Sequence, residues 1–153
     1  MRNKQENKAL TMHHIVYLSS VAGQLDEQEL KTILLKSRAK NTKRGITGML
    51  LFCGDSIMQV LEGEQAEVTA LYQQIEQDFR HTRVFKLSDG KISQRAFPDW
   101  SMGFTTTTPE EFERLVGYFN PRDPKFKALS STQIENEVLD LMKEFSMEKE
   151  DIP

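Results

Sequence analysis

Gln59 interrupts the run SIMQVLE, residues 56–62, in which Ile57, Met58, Val60 and Leu61 are apolar on both faces of a strand. An amide buried without partners costs about 1–3 kcal/mol, so a position of this kind calls for a partner. Two readings stand side by side. Gln59 is a core glutamine satisfied by backbone, or it is a polar group aimed into a ligand pocket. Tyr17, in the segment HHIVYLSS, and Asn41, towards the end of an amphipathic helical stretch, can reach the same place. Taken singly, a strand tyrosine reads as packing and a helix-end asparagine as a cap. Asn and Gln each combine donor and acceptor, so the pair can read an uncharged donor–acceptor edge, and Tyr17 adds an oxidisable phenol with a transferable proton.

The elements that must carry these residues follow from periodicity. Residues 13–20 form a first strand. A helix starts after Asp26, whose side chain and Glu29 three residues on make a capping box. Leu30, Ile33 and Leu34 share a helix face that Ser37 and Asn41 continue, so the stripe turns polar at its end. Residues 45–53 and 56–62 are two strands joined by Gly54-Asp55, a two-residue hairpin turn with glycine first. Both strands are apolar on both faces and should be central. A second helix spans residues 64–79 with Val68, Leu71, Tyr72 and Ile75 at helical spacing.

A fourth strand is predicted over residues 83–87, continuing towards Ile92, and a fifth over WSMGF, residues 100–104. Period two puts Trp100, Met102 and Phe104 on one face of that fifth strand. The order β-α-β-β-α-β-β predicts an α+β, ferredoxin-like sandwich with a five-stranded mixed sheet and two helices. Two C-terminal helices follow. One opens with Thr108, Pro109 and Glu111 as N-cap, first helical residue and third; the other starts near Ser130 with Ile134, Val138, Leu141, Met142 and Phe145 on one face.

Composition narrows the function classes. The chain has 153 residues, enough for one domain, with 20 Lys+Arg against 23 Asp+Glu and a net charge of −3, which disfavours a nucleic-acid binder working by bulk charge. A single cysteine, Cys53, excludes an intramolecular disulfide and any multi-cysteine zinc site, and is expected to act as a small buried hydrophobe. His13-His14 point to opposite strand faces with no third ligand nearby, so no metal site is expected. The start MRNKQENKAL has no apolar signal region and no run of 18 apolar residues occurs, so a cytoplasmic protein without a membrane span is expected. Lys40, Lys43 and Arg44 read as a solvated helix end favoured by the helix dipole, or as partners of phosphate in a chain lacking GxGxxG and P-loop patterns.

In sequence order, IVYLSS, AKNTKRGITGMLLF, IMQVLEGE, QDFRH and FPDWSMGF resemble the BLUF family, sensors of blue light using FAD. The resemblance covers residues 13–104, a photosensor domain, and leaves 105–153 as a C-terminal helical extension. It implies FAD held non-covalently between the two helices, with Tyr17 and Gln59 as the photoactive pair and Asn41 on the N3/C4=O edge. Trp100 or Met102 would sit next to Gln59. Ser37, Ile33, Ile75 and Asp78 fall at the pocket wall, and Arg80 and His81 belong to the D-x-R-H signature. Lys40 departs from the family's more polar or aromatic residue beside the asparagine.

The implied mechanism is light-driven electron transfer from Tyr17 to the flavin, with the proton relayed through Gln59. Gln59 then rests in a new orientation or tautomer, giving a red-shifted state. That state passes through the last strand and the C-terminal helices to a downstream signalling protein, without catalysis by this chain and without direct nucleic-acid binding. Short members of the family often form homo-oligomers. The alternatives are a small ferredoxin-like enzyme such as an acylphosphatase-like hydrolase, or a flavin-binding module insensitive to light.

Overall fold

The computed structural model describes residues 12–21, 27–78, 81–117 and 139–140. Five strands and three helices are described, in the order β1 (Met12–Val21), α1 (Glu27–Arg44), β2 (Thr47–Cys53), β3 (Ser56–Glu64), α2 (Gln65–Gln77), β4 (His81–Lys91), β5 (Gly103–Thr106) and α3 (Pro109–Gly117). The sheet runs β4-β1-β3-β2-β5, antiparallel except for the parallel β2–β5 pair. This is the mixed α+β sandwich that the hydrophobic pattern predicts. Of the last predicted helix only Leu139 and Asp140 are described, both helical; the predicted N-cap Asp26, along with Phe79 and Arg80, lies outside the described residues.

β3 is central because its side chains leave no face for water: every residue from Ile57 to Gly63 is buried. One side of the sheet packs Ile57 and Leu61 with Ile15 and Tyr17 of β1, Leu50 and Phe52 of β2 and Phe104 of β5, under Leu30 and Leu34 of α1 and Val68 and Tyr72 of α2. The other side packs Met58 and Val60 with Val16, Met49 and Leu51, covered by Phe97, by Phe112 and Leu115 of α3, and by Leu139. Apolar burial on both faces is the main stabilising term, at roughly 25 cal/mol per Å².

Local signals explain where the chain turns. Gly54 sits at φ +64, as the first position of a two-residue hairpin turn requires. In α3 the Glu111 amide donates to Thr108 Oγ1 at 3.2 Å and the Thr108 amide donates to Glu111 Oε1 at 3.3 Å, so the capping box closes in both directions. Glu64 stands at the N-cap of α2 and makes no side-chain cap bond.

The segment between β4 and β5 departs from the expected strand. β5 begins at Gly103, and Trp100 lies in the irregular stretch before it. Trp100 packs on the side of the sheet away from α1 and α2, stacked on Phe97 at 6.3 Å, whereas Met102 and Phe104 lie on the helix side. The expected common face of Trp100, Met102 and Phe104 is therefore corrected. The reason is Gly103: a Cβ there would lie 2.1 Å from Trp100 Cε3, so glycine lets the indole fold back over the strand start. Without a pleat between residues 100 and 102, period two does not apply.

This segment is pinned by a buried carboxylate. Glu62, fully buried on β3, accepts from the amides of Ala96 at 2.7 Å and Phe97 at 2.8 Å and from Thr47 Oγ1 at 3.1 Å. Arg95 Nη1 donates to Thr47 Oγ1 and to the Glu62 carbonyl. Glu62→Gln puts an amide donor against these donors and should lower unfolding stability by about 1–3 kcal/mol, read from denaturant melts.

At the other edge, His13 Nε2 pairs with Asp89 Oδ1, and Lys86 Nζ donates to Asp89 Oδ2 at 2.7 Å. The Lys86 bond, with help from His13, holds the Asp89 carboxyl below its ordinary value against the opposing effect of burial. A lowered carboxyl pKa gives stability that is present above the unfolded-state value and lost as pH falls through the folded one. Acid unfolding of Asp89→Asn should therefore lack the part of the pH dependence that the parent shows below the ordinary carboxyl range.

Candidate functional site

Tyr17 and Gln59 are register partners on adjacent β1 and β3, and both side chains face the helix side. Adjacent strands put directly opposed Cβ atoms about 4.5–5.5 Å apart, so two long polar side chains there must meet. Tyr17 OH donates to Gln59 Oε1. Gln59 Nε2 in turn donates to Met102 Sδ at 3.1 Å. The glutamine is 5 % exposed and its partners are side chains, which decides against satisfaction by backbone.

Burial pushes the Tyr17 phenol far above its ordinary value, with smaller contributions from Tyr72 and Asp78. Tyr17 therefore stays protonated and acts as a donor at any ordinary pH. The Tyr72 ring meets it edge-on at 5.6 Å and fixes its plane.

Above this row lies a cavity of about 310 Å³ between α1 and α2. Tyr17, Gln59, Leu50 and Met102 line it from below, Ile33, Ser37 and Asn41 from α1, and Leu71, Ile75 and Asp78 from the α2 side. Lys40, Arg44 and Gln74 also line it, and Arg44 Nη1 donates to Gln74 Oε1 across the two helices at 3.4 Å. Its size lies at the lower end of small-molecule sites, and a few convergent polar groups among apolar walls are their usual make-up.

Asn41 is buried and donates from Nδ2 to the Ser101 carbonyl at 2.9 Å. An amide has two hydrogens and an acceptor oxygen, so Asn41 retains capacity for both donation and acceptance. Gln59 likewise has a second Nε2 hydrogen. Two such amides flanking an apolar slot fit the alternating carbonyl and N–H edge of a flavin ring. Ser37 lines the cavity while its hydroxyl donates back to the Ile33 carbonyl at 2.9 Å, which leaves its oxygen as an acceptor.

Of the remaining expected site residues, Trp100 is on the opposite side of the sheet and Met102 takes the place beside Gln59. His81 is the first residue of β4, and Arg80 lies outside the described residues. Cys53 is half-buried rather than buried. Among the described residues no group of His, Cys, Asp and Glu could hold a metal, and no helix is long and apolar enough to cross a membrane. Sequence reasoning missed Arg38, whose Nε and Nη2 donate to the Met102 carbonyl at 3.3 and 3.2 Å. Its spacing of three from Asn41, on the same helix face, was the available signal.

Comparison with known proteins places the chain in a family. The family described as sensors of blue light using FAD matches residues 12–103. The beta subunit of a photoactivated adenylate cyclase from Euglena gracilis is 28% identical over 98 residues, 63% of this chain and 11% of that protein. The chain thus spans about a tenth of the length of that relative. The dark-state structure of BlrB, a BLUF protein, superposes with a TM-score of 0.64 at 27% identity, covering 87% of this chain and 96% of that one. Klebsiella pneumoniae BlrP1, solved with FMN and cyclic diGMP, gives a TM-score of 0.59 at 27% identity, over 82% of this chain and 35% of that one. The buried Tyr–Gln row beneath a slot between two helices, on this sheet order, thus belongs to a chain of the BLUF family, the sensors of blue light using FAD.

Proposed function

We propose that the chain is a blue-light photoreceptor that holds FAD non-covalently in the slot between α1 and α2. The observation that carries this reading is the unbroken row Tyr17–Gln59–Met102 along the cavity floor. Asn41 and Gln59 would read the ring edge, Ile33, Ile75 and Leu71 would sandwich the ring, and Ser37 and Asp78 would meet polar atoms at its side. Lys40 and Arg44 carry the positive charge that phosphates favour. BlrP1 was solved with FMN, so extraction and chromatography of the bound flavin separates FAD from FMN.

Bound flavin supplies absorption of blue light and an excited state that oxidises a phenol, which its ground state does not. With flavin bound, Tyr17 would give an electron to the excited ring and its phenolic proton to Gln59 Oε1, and would recover both as the excitation decays. No net oxidation remains. Gln59 would come to rest rotated or as its tautomer, its hydrogen bonding toward the bound ring changed, and absorption would move to the red.

A hydrogen-bond exchange is worth about 0.5–1.5 kcal/mol net, enough to bias an element that already has two arrangements. The first such element along the chain is residues 100–106, since Met102 touches Gln59 and the chain continues through Thr107 into α3. Residues 13–104 act as sensor and 105–153 as the extension that hands the signal to a downstream protein. The chain itself turns over no substrate, and it works as a homo-oligomer in the cytoplasm.

Absorption spectra before and after blue light should show oxidised flavin whose peaks shift red and return in darkness. A protein that stays colourless after reconstitution with FAD would overturn the reading. Tyr17→Phe should bind flavin yet lose the red-shifted state, because it has no phenolic proton. Gln59→Leu should also bind flavin and lose the normal shift; a parent-like shift in either variant removes that residue from the mechanism.

A further inference from the structure

Three residues on one stripe of α1 follow the chain into β5 almost residue by residue. Asn41 Nδ2 donates to the Ser101 carbonyl at 2.9 Å, Arg38 Nε and Nη2 donate to the Met102 carbonyl at 3.3 and 3.2 Å, and Lys31 Nζ stands 5.5 Å over the Phe104 ring. Spacings of seven and three place residues 31, 38 and 41 on one helix face. Met102 is therefore held at both ends, at the sulfur by Gln59 and at the carbonyl by Arg38. Arg38 does not line the cavity, so its reach to Met102 has no ligand to explain it.

We propose that Arg38 is a positioning residue: its two-donor grip on the Met102 carbonyl sets Met102 against Gln59 and thereby the lifetime of the light state. The inference rests on the photoreceptor reading above. A guanidinium offers two donors in a rigid fork, which neither lysine nor glutamine reproduces. A rearranged Gln59 amide acts on Met102 through the sulfur, while the carbonyl grip pulls the residue back to its dark position. Partial burial lowers the Arg38 pKa, yet a guanidinium keeps its charge in proteins, so the grip is that of a charged donor.

The test uses the full chain with flavin bound, as Arg38→Lys and Arg38→Gln, labelled with methionine carrying ¹³C at its carbonyl. The Met102 carbonyl band in the infrared is identified as the one missing from Met102→Leu. Both Arg38 variants should keep flavin and the full light-induced red shift. Their Met102 band should move to higher frequency in the dark, because neither replacement reproduces the two-donor grip on the carbonyl. Dark recovery should slow about tenfold or more, the size expected for losing a hydrogen bond to a charged group.

An unmoved band, or a moved band with recovery within about twofold of the parent, overturns the proposal. If Arg38→Gln fails to fold, Arg38→Lys keeps the charge and decides alone. If the parent shows no red shift, the photoreceptor reading fails, and the infrared band still decides whether the grip exists.

Discussion

Everything in this structure depends on β3 having no side in contact with water. A strand buried on both faces can carry a polar side chain only where another element comes to meet it. β3 carries two buried ones, Gln59 and Glu62, and an odd spacing of three sends them to opposite faces. Gln59 is met on the helix side by Tyr17 and Met102, and Glu62 on the other side by Thr47 and the amides of residues 96 and 97. The two faces converge on the same short stretch of chain, because residues 95–102 run from the Glu62 anchor on one side to Met102 on the other. Gln59 and the carboxylate that anchors the segment it contacts are thus built into one strand.

Much of this was legible in the sequence because it depends on short-range rules. The apolar run on both faces predicted a central β3, Gly54-Asp55 predicted the hairpin, and Thr108 with Glu111 predicted the start of α3. Gln59 stood out because an amide in such a run needs a partner, whereas Glu62 read only as the end of a strand and its burial was not legible. The side taken by Trp100 was not legible. Period two assumes a pleated strand, whereas the backbone before Gly103 is irregular and the direction of the indole is decided by a missing Cβ. Arg38 was hidden for a different reason: an arginine on an amphipathic helix usually keeps its head in water, and only the tertiary structure brings a carbonyl within its reach.

The chemistry asked of the site is modest and the surroundings match it. Neutral groups suffice, since Tyr17 is kept protonated by burial and the amides carry no charge. No charged side chain takes part in the Tyr17–Gln59–Met102 row, so a rearrangement of Gln59 need not move a full charge through a low-dielectric layer, which would be costly.

β5 has four residues and, among the described residues, a strand neighbour on one side only. A central strand is held by two ladders, so displacing it would tear the sheet in half; a terminal strand unzips from one partner and leaves the other four strands paired. A shift of register or tilt at this rim would be absorbed locally, leaving the β4-β1-β3-β2 pairing intact. Phe104 and Thr105 of this rim strand are nonetheless buried, so the strand is tied to the core by packing rather than by a second ladder.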